Sequence, residues 1–193
     1  MPRYDSDWIE QMLRPERRGS PPAEETLADL GLAPGQTVVD VGCGPGFFTL
    51  PAATLVAPNG LVCAIDLEPA MLDLVRSRAE AAGIPGIEVR RGDGQRLPLD
   101  DAVVDVTVCS LVLHDLDDRL ALVREMIRAT RPGGRIAVVE WLPEQDDRRP
   151  NRMRPEEVTA LFTRAGEPAH AVTPLGTSQY LVVVTRTEST REG

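Results

Sequence analysis

The chain has 193 residues, 42% of them hydrophobic and 26% charged, which suits one domain with its own core and is too apolar for disorder. Twenty-one basic residues, all arginine, face 30 acidic ones, for a formal net charge of -9. That balance argues against a phosphate-tracking surface for DNA or RNA, and the missing lysine removes Schiff-base chemistry and the phosphate-loop lysine.

Three separated cysteines, Cys43, Cys63 and Cys109, form no C-x-x-C pair, so a zinc site is not expected and small-hydrophobe packing is. The charged N-terminus and the lack of a long apolar run predict a cytoplasmic protein without a membrane span.

Residues 1–31 are expected to form helices. Ile9, Met12 and Leu13 fall at helical spacing, and a second helix runs from Pro22 to Leu30 and stops at Gly31. From residue 32 the chain alternates. Strands are expected at Thr37–Val41, Leu61–Ile65, Ile87–Val89, Val103–Cys109 and Arg135–Trp141. Helices are expected at Phe48–Val56, Pro69–Ala82, Asp117–Thr130 and Pro155–Ala165. In the third of these Leu120, Val123, Met126 and Ile127 should face inward, with Arg131-Pro132-Gly133-Gly134 as the stop. Two last strands, Ala169–Val172 and Tyr180–Thr185, are joined by too few residues for a crossover helix and should pair antiparallel. Solid Val/Ile strands separated by helices specify an α/β, Rossmann-like doubly wound sheet, parallel except for the C-terminal hairpin.

In such a sheet a ligand sits beyond the carboxyl ends of the strands. There the first strand runs into Asp40-Val41-Gly42-Cys43-Gly44-Pro45-Gly46 and a helix, a turn where backbone can approach an anion closely. A dinucleotide fingerprint would need glycine or alanine where Phe47 stands, so a smaller anion such as a carboxylate is expected and an oxidoreductase is not. Asp66, about 20 residues on, can accept both ribose hydroxyls. Asp93, between Gly92 and Gly94, can accept from an adenine amine, with Leu67 and Met71 against the ring. Together these describe a nucleoside joined to an amino acid.

The set Val39–Gly46, Ala64-Ile65-Asp66, Gly92-Asp93-Gly94, Val104-Asp105-Val106 and Arg131–Arg135, in that order, resembles a class I S-adenosylmethionine-dependent methyltransferase across nearly the whole chain. It is similar to the group that includes quinone-biosynthesis enzymes. The resemblance implies strand order 3-2-1-4-5-7-6 and S-adenosyl-L-methionine as cofactor, with S-adenosyl-L-homocysteine as product. It also implies that Asp40 and the loop residues Gly42, Cys43, Gly44, Gly46 and Phe47 hold the methionine part. Asp66 would take the ribose, Asp93 the adenine, and the backbone near Ser110 the amino group.

In-line methyl transfer needs a base only when the acceptor loses a proton. His114 is the candidate, with Asp115 or Asp117 to orient it; the alternative is a structural role before the helix. Tyr4, Trp8, Trp141 and Arg152 are candidates for acceptor binding, Arg152 within the arginine-rich run 148–154, which can also be a solvated loop. Where similar proteins have Ala-Gly-Phe, this chain has Ala165-Gly166-Glu167, so an apolar plug is missing or replaced. A small-molecule acceptor covered by the N-terminal helices is expected, in a monomer or homodimer with no metal. The competing readings are a protein or RNA methyltransferase and a non-catalytic cofactor-binding module.

Overall fold

Each valine-rich run becomes a strand and each glycine- or proline-bounded segment with apolar 3.6-residue spacing becomes a helix. The computed structural model describes residues 6–14, 21–143 and 151–187. In chain order these are α1 (Ser6–Leu13), α2 (Ala23–Asp29), β1 (Thr37–Val41), α3 (Thr49–Val56), β2 (Leu61–Asp66), α4 (Pro69–Ala82), β3 (Ile87–Arg91) and β4 (Val104–Ser110). A 3₁₀ turn (Leu113–Asp115), α5 (Arg119–Ala129), β5 (Thr130–Trp141), α6 (Pro155–Arg164), β6 (Ala171–Leu175) and β7 (Gln179–Thr185) follow.

The strands form one seven-stranded sheet in the order β3-β2-β1-β4-β5-β7-β6. Pairings among β1 to β5 are parallel, whereas β7 runs antiparallel to both β5 and β6. This is the sheet order implied by the family resemblance. Because successive side chains of a strand point to opposite faces, β1 places Val38 among the residues of α2 and α3 and Val39 among those of α5 and α6. Helices α2, α3 and α4 cover the first face; α5 and α6 cover the second.

The helix ends follow local chemistry. Pro69 and Pro155 open α4 and α6, where a missing N–H costs nothing. The Asp118 carboxylate caps α5 by accepting from the Ala121 N–H at 3.0 Å. On α5 the buried residues are Leu122, Val123, Met126 and Ala129, with Leu120 and Ile127 at the margin, so the inward face is rotated from the sequence expectation. Relative side-chain directions are fixed at 3.6 residues per turn wherever a helix starts, so the difference is set by how α5 packs on the sheet.

Two further boundaries differ. The helix stops at Ala129, just before Arg131-Pro132-Gly133-Gly134 as expected, but β5 begins at Thr130, so the segment lies within that strand as an irregularity. The β4–β5 register jumps from Val104↔Thr130 to Val106↔Arg135, and the extra residues are accommodated as a bulge. Likewise β6 continues through Thr173-Pro174-Leu175, leaving Gly176-Thr177-Ser178 as the turn. Proline is tolerated there because β6 is the sheet edge.

The missing apolar plug is also accounted for. Glu167 is buried, and its carboxylate accepts from the Thr187 N–H at 3.0 Å and Oγ1 at 3.1 Å, tying the loop after α6 to the end of β7. Among the described residues, no helix is long and apolar enough to cross a membrane.

Candidate active site

Because β1 to β5 run parallel, their carboxyl ends open at one end of the sheet, where the glycine loop, Asp66, the Gly92–Gly94 turn and Ser110 lie. The pairs Val41↔Ile65 and Val41↔Cys109 bring the ends of β1, β2 and β4 level. The glycine loop then turns across β2, with the Gly42 and Cys43 N–H groups donating to the Ile65 carbonyl at 2.7 Å and 3.0 Å.

Asp66 closes this turn from the other side. Its Oδ2 accepts from the Gly44 N–H at 2.9 Å and its Oδ1 from the Glu68 N–H at 2.9 Å. A carboxylate offers about four lone-pair sites, so each oxygen retains capacity for a ligand hydroxyl. The Gly92 N–H donates to the Asp66 carbonyl at 3.1 Å, which brings the Gly92-Asp93-Gly94 turn alongside. Asp93 is exposed and uses Oδ1 to accept from the Gln95 N–H at 3.0 Å. Leu67 is exposed, Met71 is buried on the inward face of α4, and Gly94 is buried.

Asp40 is buried, and its Oδ2 accepts from Thr49 Oγ1 at 2.6 Å, which fastens the end of β1 to the first turn of α3. From the other flank the Arg78 guanidinium donates to the Pro45 carbonyl, and burial lowers its pKa. Phe47 packs edge-on against Phe48 with centroids 5.1 Å apart. The methyl of Met12 on α1 lies 3.2 Å from where a Cβ on Gly44 would stand, so α1 passes over the loop.

Beyond β4 the chain makes an unusual turn. Leu111 has φ +61, a conformation side chains rarely adopt, and its N–H donates to the Val139 carbonyl at 2.8 Å. This turn sends Val112 back over Gly42 and sets His114 against the end of β5. Strain of this kind clusters at functional sites. The Ser110 hydroxyl at the strand end is buried, with no hydrogen-bond partner among the described residues. An orphaned hydroxyl beside a glycine cradle fits the ammonium and carboxylate end of S-adenosylmethionine, which donates to and accepts from just such groups.

Of the two partners expected for His114, Asp115 lies on its Nε2 edge at 3.5 Å and Asp117 is exposed. A third carboxylate was not expected. The group that grips the residue is Glu140, fully buried near the end of β5: Oε2 is 2.7 Å from His114 Nδ1, and Oε1 accepts from the His114 N–H at 3.3 Å. The sequence did carry a signal for Glu140, a lone carboxylate ending the apolar run Ile136-Ala137-Val138-Val139.

Trp141 and Arg152 are also brought together. The guanidinium carbon lies 5.4 Å from the Trp141 ring centre, and Nη1 donates to the Leu142 carbonyl at 2.9 Å. Tyr4 and residues 148–150 lie outside the described residues, as does the side chain of Trp8.

All three cysteines are free and buried. Burial pushes the Cys63 thiol up to about 11. Burial, reinforced by Asp40 and Asp66, raises Cys43, and burial with Glu140 raises Cys109. The thiols therefore stay neutral within the core, and Asp40 and Asp66 are the carboxylates at the ends of β1 and β2, an arrangement suited to a cationic ligand.

The chain is similar to known methyltransferases. The family described as a methyltransferase domain matches residues 39–138. A demethylmenaquinone methyltransferase of Bacillus cytotoxicus is 30% identical over 117 residues, 61% of this chain and 49% of that protein. An arsenite methyltransferase of Halobacterium salinarum is 34% identical over 152 residues, 72% of this chain and 38% of that protein. The chain thus spans half or less of the length of these curated relatives. The crystal structure of an S-adenosylmethionine-dependent methyltransferase from Aquifex aeolicus aligns with a TM-score of 0.86 at 26% identity, covering 96% of this chain and all 100% of that one.

Proposed function

The chain belongs to the class I S-adenosylmethionine-dependent methyltransferase family, and from that premise we propose that it methylates a small-molecule acceptor. The cofactor supplies a methyl group activated by a sulfonium. The protein's part is to hold, align and exclude water.

One observation carries this reading: the Asp66 carboxylate bridges Gly44 and Glu68 at the open ends of the parallel strands. It keeps the glycine loop folded and retains lone pairs for the ribose hydroxyls. Asp40, Gly42, Cys43, Gly46 and Phe47 shape the pocket for the methionine part, and Ser110 offers its orphaned hydroxyl to the same end. Asp93, Gly92, Gly94, Leu67 and Met71 are assigned to the adenine side. Helix α1, whose Met12 overlies Gly44, is assigned to the cover, and the described residues from 32 onward to the core. Trp141 with its stacked Arg152 is assigned to the acceptor side, and His114 to proton uptake.

A small acceptor is supported by the names of the relatives, one acting on demethylmenaquinone and one on arsenite. The arsenic acceptor fits less well, because that chemistry uses thiolates and the three thiols here are buried and held neutral. The net charge of -9 argues against nucleic acid. The test is transfer of label from methyl-labelled S-adenosylmethionine to a small-molecule extract, with RNA and protein fractions offered in parallel. Label in the small-molecule fraction is expected. Label confined to RNA or protein overturns the acceptor class, and failure to bind S-adenosylhomocysteine overturns the cofactor site.

A further inference from the structure

We propose that Glu140 is a positioning residue that holds His114 as the proton acceptor for a hydroxyl-bearing methyl acceptor. The inference rests on the methyltransferase reading above and adds to it both a residue and a substrate class.

A buried carboxylate is costly unless paired, and its surroundings leave Glu140 few partners. It sits at 0% exposure in a strand whose preceding residues are apolar. Both of its oxygens go to one residue: Oε2 to the Nδ1 edge of the His114 ring and Oε1 to the His114 main-chain N–H. That two-point grip fixes the turn and the ring together, across 26 residues of sequence. A group needed only to cap the turn would require one oxygen and no charge.

Among the described residues, Cys109, Tyr180, Arg119 and Asp115 face the pair. Cys109 and Tyr180 lie on the Glu140 side, and the carboxylate adds to burial in raising both, so thiol and phenol stay protonated. Arg119 approaches from α5, but its guanidinium donates to the His114 carbonyl at 3.4 Å and not to the ring. Asp115 Oδ1 lies 3.5 Å from Nε2, but its side chain is 73% exposed and screened by solvent, so the buried 2.7 Å contact of Glu140 with Nδ1 dominates. A carboxylate on Nδ1 places the hydrogen of the neutral ring there, so Nε2 carries the lone pair. The same carboxylate steadies the imidazolium once a proton arrives.

This arrangement serves a nucleophile that is weak until it loses a proton, which is a hydroxyl group. As the acceptor oxygen forms its bond to the methyl carbon, the carbon–sulfur bond breaks with its electron pair going to sulfur. The hydroxyl proton passes to His114 Nε2. Charge and atoms balance without a further reactant.

The test reads the ring itself. In proton–nitrogen correlation spectra of the intact protein with S-adenosylhomocysteine, His114 should show hydrogen on Nδ1 when neutral, and a titration midpoint above about 6.5, the ordinary value. In Glu140→Gln the midpoint should fall by at least about one pH unit, roughly tenfold in proton affinity. S-adenosylhomocysteine affinity by calorimetry should stay within about twofold, because Glu140 is not assigned to the cofactor site. A neutral ring with hydrogen on Nε2, readable in the wild-type protein alone, overturns the proposal, as does an unmoved midpoint in the variant. Labelled product from the extract should release its methyl group on ether cleavage with hydriodic acid; retained label overturns the hydroxyl class. Loss of S-adenosylhomocysteine binding by the wild-type protein would instead refute the methyltransferase reading.

Discussion

Val112 stands directly over Gly42: a Cβ built on Gly42 would lie 2.2 Å from Val112 Cγ2. Gly42 also has φ +69, so both space and backbone conformation admit only glycine. The contact locks the turn after β1 to the turn after β4, and these two turns form the floor of the candidate site.

Gly42→Ala is therefore expected to lose about 1–2 kcal/mol from the left-handed backbone alone, and more from the clash. S-adenosylhomocysteine affinity should fall with it. Adding Val112→Ala should restore the part due to the clash and leave the backbone part. Denaturant midpoints of the single and double variants check this, and equal midpoints would show that the contact is relaxed at no cost.

Asp66→Ala removes the acceptor for the Gly44 and Glu68 N–H groups as well as the proposed ribose partner. Charge-assisted hydrogen bonds contribute about 1.5–3 kcal/mol each, so S-adenosylhomocysteine should bind at least tenfold more weakly by calorimetry. Unchanged affinity would remove Asp66 from the site.

Arg128 pins the loop between β3 and β4. Its guanidinium donates to the Leu97 carbonyl at 3.2 Å, the Leu99 carbonyl at 2.8 Å and Asp101 at 2.7 Å, while pairing with Glu125 on its own helix. Glu125 is held below the usual carboxylate range, first by this hydrogen bond. Arg128→Met should cost about 1–3 kcal/mol in urea unfolding, since it breaks a network and not a single surface pair. A loss near zero would mean that the loop holds itself.

Ala102 adopts φ 56 in the exposed turn before β4. Glycine there relieves roughly 1–2 kcal/mol of left-handed strain and costs about 0.4–1 kcal/mol through the freer unfolded chain. Ala102→Gly is expected to raise the melting temperature slightly. A fall would place the strain elsewhere.

The buried thiols predict an alkaline limb. Cys63 titrates at 9.0 when free and at about 11 in the folded chain. Between those values the unfolded chain has lost the proton and the folded chain has kept it, so stability falls as pH rises. Each such thiol contributes at most about 1.4 kcal/mol per pH unit. Urea midpoints should drop across this window, and Cys63→Ala should flatten the drop. A profile identical in the variant would assign the limb to other groups.

The glycine loop, Asp66, the sheet class and most element boundaries were legible because they depend on neighbours in sequence. Hydrophobic period, proline at a helix start and glycine at a turn act within a few residues. Two strand boundaries were misread: at Thr173–Leu175 pairing with β7 overrode the local turn signal, and β5 begins early because Thr130 pairs with Val104 ahead of the Arg131–Gly134 bulge. The α5 face was misjudged because packing on the sheet chose Leu122 and Ala129 for the buried stripe, which no local signal separates from Leu120 and Ile127.

Sequence alone determined which residues could serve a ligand; the tertiary structure decided which of them meet. The Asp66 carboxylate reaches Gly44 across 22 residues, and Glu140 reaches His114 across 26, because parallel strands bring successive carboxyl ends level. No periodicity along the chain encodes that juxtaposition. It arises from strand order and register, which are fixed by how the whole sheet buries its two faces.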